Sequence, residues 1–481
     1  MLIALGGILG LVVAALIVSL FVRWERRGKE QLVPLVLLGL LVVEATIYGD
    51  PNNIPRSIFH PGSGSTQLRL PEIYITLALI ARVIARGRPK RIGFPAGLWL
   101  AFAAWMVVGL IEGKLYHNSF SQDIYEAKDL LYITGAYALA AGVPIRKYFE
   151  RGDLFKLGTL SIACATLLDL MMLGHVSVNT NLPGLPLSGF GNIGAETAAL
   201  FMAVGTMCFL TRMAMGPVAL RHVLALIPIV VSVVLASQRA ILVNLGVVLL
   251  VVLTAVVVGH WQGPLRRFHV GSGQVVLAVL AVVAVGIAVV VVPAAVNRRP
   301  AQIPLASTYQ NLFHNQGKAE SAQDRLNLVA EAEKLIPQHL LIGWGLGIEF
   351  PYYEAGTRTV VTIAYAHNLA LDLWLRLGLV GLVSFFLALI GSIAGGLRAW
   401  RRHRDPVTAA LALALVAVLS GLVATGFLEP LLDEYRFAVL FGVCLGILRA
   451  CVTSMDVRPR ALTWSTEATC AGTPAGRTRW A

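Results

Sequence analysis

The residues best suited to chemistry lie where a long polar segment meets an apolar run. His367 and Asn368 stand at this junction, and Asp372 and Arg376 follow at four-residue spacing within the apolar run. An imidazole at a lipid–water boundary titrates near neutral pH, so His367 can act as a general base. Residues four apart share one helix face, so Asn368, Asp372 and Arg376 form a polar stripe in which the last two can pair. We therefore predict that His367 is catalytic and that the other three residues support it.

Two arginines are candidates for binding an anionic group. Arg239 is the only charge in a short polar turn between two apolar runs, and Arg325 lies in the long polar segment. A guanidinium is always charged and can bond two phosphate oxygens at once, so both suit a diphosphate. The alternatives are a membrane-surface anchor for Arg239 and a solvated helix face for Arg325. Weaker candidates of the same kind are Arg299, Lys318 and Arg358.

The composition identifies the elements that must position these residues. The chain has 481 residues, of which 57% are hydrophobic and only 14% charged, and its mean hydropathy is +0.74. Apolar runs of about 18 residues or more recur along it, and each can cross a bilayer as a helix. The net charge of +13 does not indicate a nucleic-acid partner, because membrane proteins collect Lys and Arg in cytoplasmic loops. The five cysteines lack metal-ligand spacing and indicate neither a zinc site nor a disulfide framework.

These features predict an all-α polytopic integral membrane protein with about 13 transmembrane helices. The predicted spans are 2–22, 31–48, 70–85, 95–112, 126–143, 154–173, 196–213, 218–236, 240–259, 273–295, 367–395, 407–427 and 435–451. Basic residues concentrate in alternate loops, and the positive-inside rule makes those loops cytoplasmic. The amino terminus is then exterior and the carboxyl terminus interior. The first apolar run has no basic residue before it, which favours a retained helix over a cleaved signal peptide.

The chain divides into four predicted parts. These are a transmembrane bundle over 1–295, a long exterior (periplasmic) loop over 296–366, carboxyl-terminal transmembrane helices over 367–451, and a disordered cytoplasmic tail over 452–481. Loops as long as the second part are uncommon unless they have a function. We expect the polar residues at its boundaries to face the exterior.

The exterior loop contains one amphipathic helical pattern, which runs from Ser321 to Ile336. Ser321 and Asp324 resemble an amino-terminal cap, and Pro337 is predicted to end the helix. Its apolar stripe is Leu328, Ala332, Leu335 and Ile336. The glycine cluster that follows, Gly343 to Gly347, lacks the strand and the Gly-Lys-Ser sequence of a nucleotide loop. Tight packing of the loop is the role we predict for it.

Seven charged residues within the predicted spans fall near the exterior ends of those spans. They are Glu44, Glu112, Asp129, Asp169, Glu196, Asp372 and Arg376. Such residues are costly in a bilayer, so their depth indicates where polar chemistry takes place. Their position favours a site open to the outer leaflet, and the simpler interpretation is that each side chain reaches to water at the interface.

Several motifs occur together in a fixed order. They are Ser237-Gln238-Arg239 at an exterior turn, Asp324-Arg325 before an amphipathic helix, Gly343-Trp344-Gly345-Leu346-Gly347, and His367-Asn368 before a run that ends in Gly378-Leu379-Val380-Gly381. A fainter element is Gly191-Asn192-Ile193-Gly194 before a span. In this order and topology the chain resembles the O-antigen ligase and polymerase superfamily over roughly residues 185–450.

The resemblance implies a metal-independent glycosyltransferase without a cofactor, in the inner membrane of a bacterium, with its site facing the periplasm. It would transfer a glycan from an undecaprenyl diphosphate carrier to an acceptor hydroxyl on a lipid, glycan or protein, with inversion. Arg239 and Arg325 would bind the diphosphate, and His367 would take the acceptor proton or position the acceptor. The chain departs from the family at Arg376, where a Glu is common, and in its predicted extra first helix.

Other functions stay open. A polymerase that extends the lipid-linked glycan shares these motifs with a ligase. A transporter of lipid-linked or small polar cargo would place charges at the bilayer midplane and contain inverted repeats, neither of which the sequence contains. A non-catalytic membrane scaffold would tolerate the loss of His367 and Arg325.

Overall fold

A computed structural model of the chain describes residues 2–48, 69–86, 96–173, 181–182, 185–186, 195–216, 220–236, 239–262, 317–354, 358–428 and 434–455. Its helices are α1 (Leu2–Arg26), α2 (Leu32–Tyr48), α3 (Leu70–Arg86), α4 (Ala96–Leu115), α5 (Phe120–Ala141), α6 (Lys147–Glu150), α7 (Asp153–Leu173), α8 (Ala195–Met215), α9 (Leu220–Leu224), α10 (Ile227–Leu235), α11 (Arg239–Gln262), α12 (Gly317–Leu335), α13 (Leu369–Arg402), α14 (Pro406–Gly426) and α15 (Tyr435–Ser454). Two short antiparallel hairpins pair β1 (Asn181–Leu182) with β2 (Leu185–Pro186), and β3 (Phe350–Glu354) with β4 (Thr359–Ile363).

Helices lie at twelve of the thirteen predicted spans, and 218–236 is divided between α9 and α10. The predicted span 273–295 lies outside the described residues. Six of the described helices are long and apolar enough to cross a membrane. They cover Gly97–Leu115, Asp153–Met172, Glu196–Met215, Leu369–Arg402, Pro406–Gly426 and Tyr435–Ser454. The chain is therefore a mainly helical, multi-pass membrane protein, and the count of thirteen spans stays a prediction.

Helices α14 and α15 lie at the centre of the bundle. Both are apolar on all sides and almost completely buried, as expected for helices surrounded by other helices. Along α15, Gly442 and Gly446 bring its backbone against α5. A Cβ at Gly446 would lie 2.6 Å from the carbonyl oxygen of Tyr137, so a larger residue would separate the two helices. Small residues four apart commonly form such contacts between membrane helices.

The amphipathic helix of the long loop is present, but it does not begin where we predicted. Helix α12 starts at Gly317, so Ser321 lies inside it, and the prediction of Ser321 as the cap is wrong. Pro337 falls in a 3₁₀ turn, Ile336–His339, that directly follows α12. Because proline lacks an N–H, the α-helical hydrogen bonds end there as predicted.

The predicted apolar stripe of α12 packs against the hairpin β3–β4 and the start of α13. Leu328, Ala332 and Ile336 are buried beside Phe350 and Leu375, and Leu335 packs against the same cluster. The stripe is thus confirmed. The all-α prediction did not include the hairpin β3–β4. Its strands pair from Phe350 with Ile363 to Glu354 with Thr359.

Helix α13 is broken at Gly378, where φ is 64° and ψ is −174°. This backbone conformation is essentially restricted to glycine. Beyond the break, the Leu379 N–H donates to the Leu340 carbonyl at 2.9 Å, and the Val380 N–H donates to the Leu341 carbonyl at 3.3 Å. Residues 340 and 341 therefore supply acceptors that the first segment of α13 would have supplied in a continuous helix.

The glycine cluster after α12 satisfies the carbonyl groups on the other side of the break. The Trp344 N–H donates to the Leu375 carbonyl at 2.8 Å, and the Gly345 N–H donates to the Arg376 carbonyl at 3.0 Å. Gly343, Gly345 and Gly347 all have positive φ angles, which glycine adopts without strain. These N–H groups are bound within the protein, which confirms the prediction that the cluster has a packing role.

Candidate active site at the start of α13

His367 lies in the turn between β4 and α13. Its side chain is half-buried, and its ring packs at right angles to the ring of Tyr365, with 5.1 Å between centroids and an interplanar angle of 88°. The next residue, Asn368, caps α13: its side-chain oxygen accepts the N–H groups of Ala370 and Leu371 at 3.0 and 3.2 Å. Such a cap satisfies donors that the first helical turn leaves unpaired. His367 is thus fixed at the point where the helix begins.

The predicted pair of Asp372 and Arg376 is confirmed, with 3.0 Å between Arg376 Nη1 and Asp372 Oδ2. Both side chains also bind the turn that precedes His367. Asp372 Oδ1 accepts the Ala366 N–H at 3.0 Å, and Arg376 Nη2 donates to the Ala364 carbonyl at 2.7 Å. The pair therefore holds the backbone immediately before the candidate catalytic residue. Asn368, which we placed in the same stripe, acts at the helix terminus instead.

A third charged residue, Glu126 of α5, completes this cluster. Its Oε2 lies 3.4 Å from Arg376 Nε and accepts the Gly347 N–H at 2.8 Å. The side chains of Glu126, Asp372 and Arg376 are exposed by only 1%, 5% and 6%. A buried charge is tolerated only when it is paired and hydrogen-bonded, and here one cation lies between two carboxylates. The reversed charge at position 376 is thus balanced by a carboxylate from another helix.

Asp123 lies one helical turn before Glu126 and is fully buried. Neither of its carboxylate oxygens accepts a hydrogen bond from the described part of the chain. A Cβ on Gly347 would lie 2.8 Å from the Asp123 backbone nitrogen, so the glycine cluster packs directly on this residue. Burial raises the pKa of the Asp123 carboxyl, although the positive charge of Lys114 acts in the opposite direction.

The interpretation that charges in the spans simply reach to water is wrong for most of them. Glu44, Asp169 and Glu196 are exposed by 1%, 5% and 3%, as little as Asp372 and Arg376. Asp169, for example, accepts a hydrogen bond from the Ser232 hydroxyl at 2.7 Å. The side chain of Asp129 lies outside the described residues, and Glu112 is half-buried. These carboxylates belong to polar contacts inside the bundle.

A second buried charge cluster joins the predicted exterior ends of several helices. Arg436 of α15 is 1% exposed, and its Nη1 and Nη2 lie 3.5 Å from Glu196 Oε2 and 3.9 Å from Glu44 Oε1. The Tyr435 hydroxyl donates to Glu44 and accepts from Arg436 Nε. The guanidinium of Arg69 stacks over the Tyr435 ring at 4.3 Å. This cluster, the Arg436 cluster, connects α2, α8 and α15 and fixes their relative positions.

The two arginines predicted to bind a diphosphate begin or lie within helices α11 and α12. Arg239 is the first residue of α11, and its side chain lies outside the described residues. Arg325 is half-buried on α12, three residues before the buried Leu328. Their approach to His367 stays a prediction. Of the weaker candidates, Arg358 is exposed at a positive φ of 57° before β4, whereas Arg299 and the side chain of Lys318 lie outside the described residues.

Sequence reasoning missed Glu126 and Arg436. Each lies at the start of a predicted span, so the cost of charge in a bilayer was a signal that could have identified both. The hairpin β3–β4 also had a signal, because Thr359 to Ile363 is rich in β-branched residues. The sequence does not show which of these residues meet when distant helices pack together.

Comparison with known proteins adds one finding to this geometry. Residues 198–386 match the family model described as O-Antigen ligase, and the match includes Arg239, Arg325 and the whole start of α13. No curated protein matches the chain. Over residues 198–386, the chain is thus similar to the O-antigen ligase family.

Proposed function

We propose that the protein is an O-antigen ligase-like glycosyltransferase. It transfers a glycan from an undecaprenyl diphosphate carrier to an acceptor hydroxyl at the outer leaflet of the bacterial inner membrane, without a metal ion. The observation that carries the proposal is the position of His367, directly after a turn that Asp372 and Arg376 bind at Ala366 and Ala364. Such anchoring gives an imidazole the fixed position that proton transfer requires.

In the proposed reaction, the acceptor oxygen attacks the anomeric carbon of the carrier-linked sugar from the side opposite the diphosphate. The bond from that carbon to the diphosphate oxygen breaks, and its electron pair leaves with the undecaprenyl diphosphate. The acceptor proton passes to a ring nitrogen of His367. Attack from the opposite side inverts the configuration of the anomeric carbon.

Glu126, Asp372 and Arg376 act as positioning residues in this proposal. One guanidinium bonded by two carboxylates is held in a single orientation, and this in turn fixes the carbonyl of Ala364. The supporting carboxylate common nine residues after the histidine in the family would here come from Glu126 of α5.

Arg239 and Arg325 would bind the two phosphates of the carrier. A diphosphate that leaves with extra negative charge is stabilised by guanidinium groups, which bond its oxygens in pairs. A lysine keeps the charge but loses the paired geometry. We therefore expect Arg325→Lys to retain part of the transfer rate, and Arg325→Ala to lose most of it, in membranes supplied with the carrier-linked glycan.

The function is tested by comparing glycans in host strains that carry His367→Asn or His117→Asn. His117 is an exposed exterior histidine with a φ of 60°, which asparagine tolerates, so it is a matched control. Both the carrier-linked glycans and the envelope glycans are extracted, and their lengths are compared at equal protein level.

Long glycans that remain on the carrier and are missing from the acceptor in His367→Asn alone would support the ligase. Single repeat units in both fractions would indicate a polymerase instead. Unchanged glycans in His367→Asn would contradict a catalytic role for this residue and favour transport of a lipid-linked cargo.

A further inference from the structure

Three consecutive apolar residues of the predicted exterior loop are exposed at the surface of the protein. Leu340, Leu341 and Ile342 are 46%, 58% and 41% exposed, directly before the glycine cluster. We propose that this 340–342 turn lies inside the outer hydrocarbon layer of the bilayer and contacts lipid acyl chains. The inference concerns where the membrane meets the protein, and it goes beyond glycan transfer.

The depth of the turn follows from its contacts with α13. Between Arg376 and Arg398, α13 contains no charged residue, and at 1.5 Å per residue this interval is about 30 Å long, the thickness of the hydrocarbon layer. The outer boundary of that layer therefore lies close to Arg376. Leu340 and Leu341 accept hydrogen bonds from Leu379 and Val380, which follow Arg376 within this uncharged interval.

Irregular backbone at this depth requires protein partners for its polar groups, because lipid offers none. The Leu340 carbonyl accepts from the Leu379 N–H and from Trp374 Nε1, and the Leu341 carbonyl accepts from the Val380 N–H. The Gly343 N–H donates to the His339 carbonyl at 2.9 Å. An aqueous loop has no need for such pairing, because water can bond its backbone groups.

The glycine cluster beyond the turn meets the same condition. The Leu346 N–H donates to the Gly109 carbonyl at 2.9 Å, within α4. Asn118 Nδ2 donates to the carbonyls of both Trp344 and Leu346, at 2.9 and 2.8 Å. The segment from the turn to the cluster thus presents apolar side chains outward and directs its backbone groups inward.

The turn is held against α13, and the segment that follows it is bound to α4. Both helices present apolar side chains outward. Its neighbour Val380 is 42% exposed and begins an outward apolar stripe that continues through Val383 and Leu387. Helix α4, which binds Leu346, presents a similar outward stripe of Val107, Ile111 and Leu115. The 340–342 turn and both of the helices that hold its segment thus present exposed apolar side chains.

The test compares two single-cysteine variants of the full chain, Leu341→Cys and Val360→Cys, with the native cysteines replaced by alanine. Val360 lies on β4 and is 68% exposed, so both sites are similarly open in the protein and differ only in the environment that we assign. Each variant is spin-labelled and placed in vesicles of phosphatidylcholine and phosphatidylglycerol. Collision of the label with oxygen, which concentrates in hydrocarbon, is compared with collision with a water-soluble nickel chelate.

We expect an oxygen-to-nickel collision ratio several-fold higher at position 341 than at position 360. Equal ratios at the two positions, with the nickel chelate reaching both labels, would overturn the proposal. The measurement needs no glycan substrate, so its failure is distinct from a failure of the proposed transferase activity.

Discussion

The break in α13 makes Gly378→Ala the sharpest test of the fold around the site. Gly378 has a φ of 64° and a ψ of −174°. A Cβ at this position would lie 2.5 Å from the carbonyl carbon of Ile342, and closer still to the Leu341 carbonyl group. An alanine at this backbone conformation is strained, and its Cβ also displaces the 340–342 turn.

The cost can be worked out from these contacts. A residue other than glycine in this region of backbone space costs about 1–3 kcal/mol. Displacement of the turn weakens the hydrogen bonds from Leu379 and Val380 to Leu340 and Leu341, each with a net contribution of about 0.5–1.5 kcal/mol. Together these effects predict a loss of about 2–6 kcal/mol in the free energy of unfolding. Glycan transfer should fall as well, because Arg376, whose carbonyl binds Gly345, lies two residues before the break.

The assay is thermal unfolding of the purified protein in detergent, followed as the fraction that stays monodisperse after heating. Gly246→Ala is the matched control, because Gly246 is an exposed residue of α11 with no atom within 4 Å of a built Cβ. We expect the control to unfold at or slightly above the wild-type temperature, since alanine is favoured over glycine inside helices. If Gly378→Ala unfolded at the same temperature as Gly246→Ala, the requirement for glycine at the break in α13 would be refuted.

Three further predictions concern buried charge, and thermal unfolding in detergent measures all of them. Arg376→Met leaves buried carboxylates without their cation, so we expect a loss on the order of 3–5 kcal/mol, with partial recovery when Glu126→Gln is added; no recovery would contradict the pairing. Asp123→Asn should raise the unfolding temperature at pH 7, because burial raises the pKa of this carboxyl and its ionised form is disfavoured in the folded state. The difference in unfolding temperature should shrink as the pH is lowered and the wild-type carboxyl takes up its proton. A difference that grows in acid would contradict the raised pKa of Asp123. Arg436→Leu should destabilise the protein strongly because Glu44 loses its cation, and Arg436→Leu with Glu44→Gln should be more stable than the single variant.

Part of the site was predictable because its signals are local. The start of α13 at the His367–Asn368 junction follows from a polar residue that caps an apolar run. The pair of Asp372 and Arg376 follows from four-residue spacing in a helix. The stripe that buries Leu328 has the same origin, since helical periodicity alone identifies the face that packs.

The remaining features depend on contacts between distant parts of the chain. Glu126 meets Arg376 only because the glycine cluster brings α5 against the first segment of α13. The break at Gly378 is unexpected within an apolar run, since glycine is frequent in membrane helices that are continuous. The start of α12 was misplaced because Ser321 is an acceptable cap in sequence, and nothing local indicates that the helix extends to Gly317.

The Arg436 cluster has a consequence for the order in which the protein assembles in the bilayer. Arg436 begins α15, whereas its partners Glu44 and Glu196 lie on helices that leave the ribosome much earlier. A charge at the centre of a membrane helix costs about 2.5–3.5 kcal/mol on insertion scales. Glu44 and Glu196 lie nearer the ends of α2 and α8, so these helices carry a smaller cost until α15 arrives. Insertion of α15 then brings one cation, Arg436, next to both acids. The Arg436 cluster is thus complete only after α15, the last described helix, has been inserted.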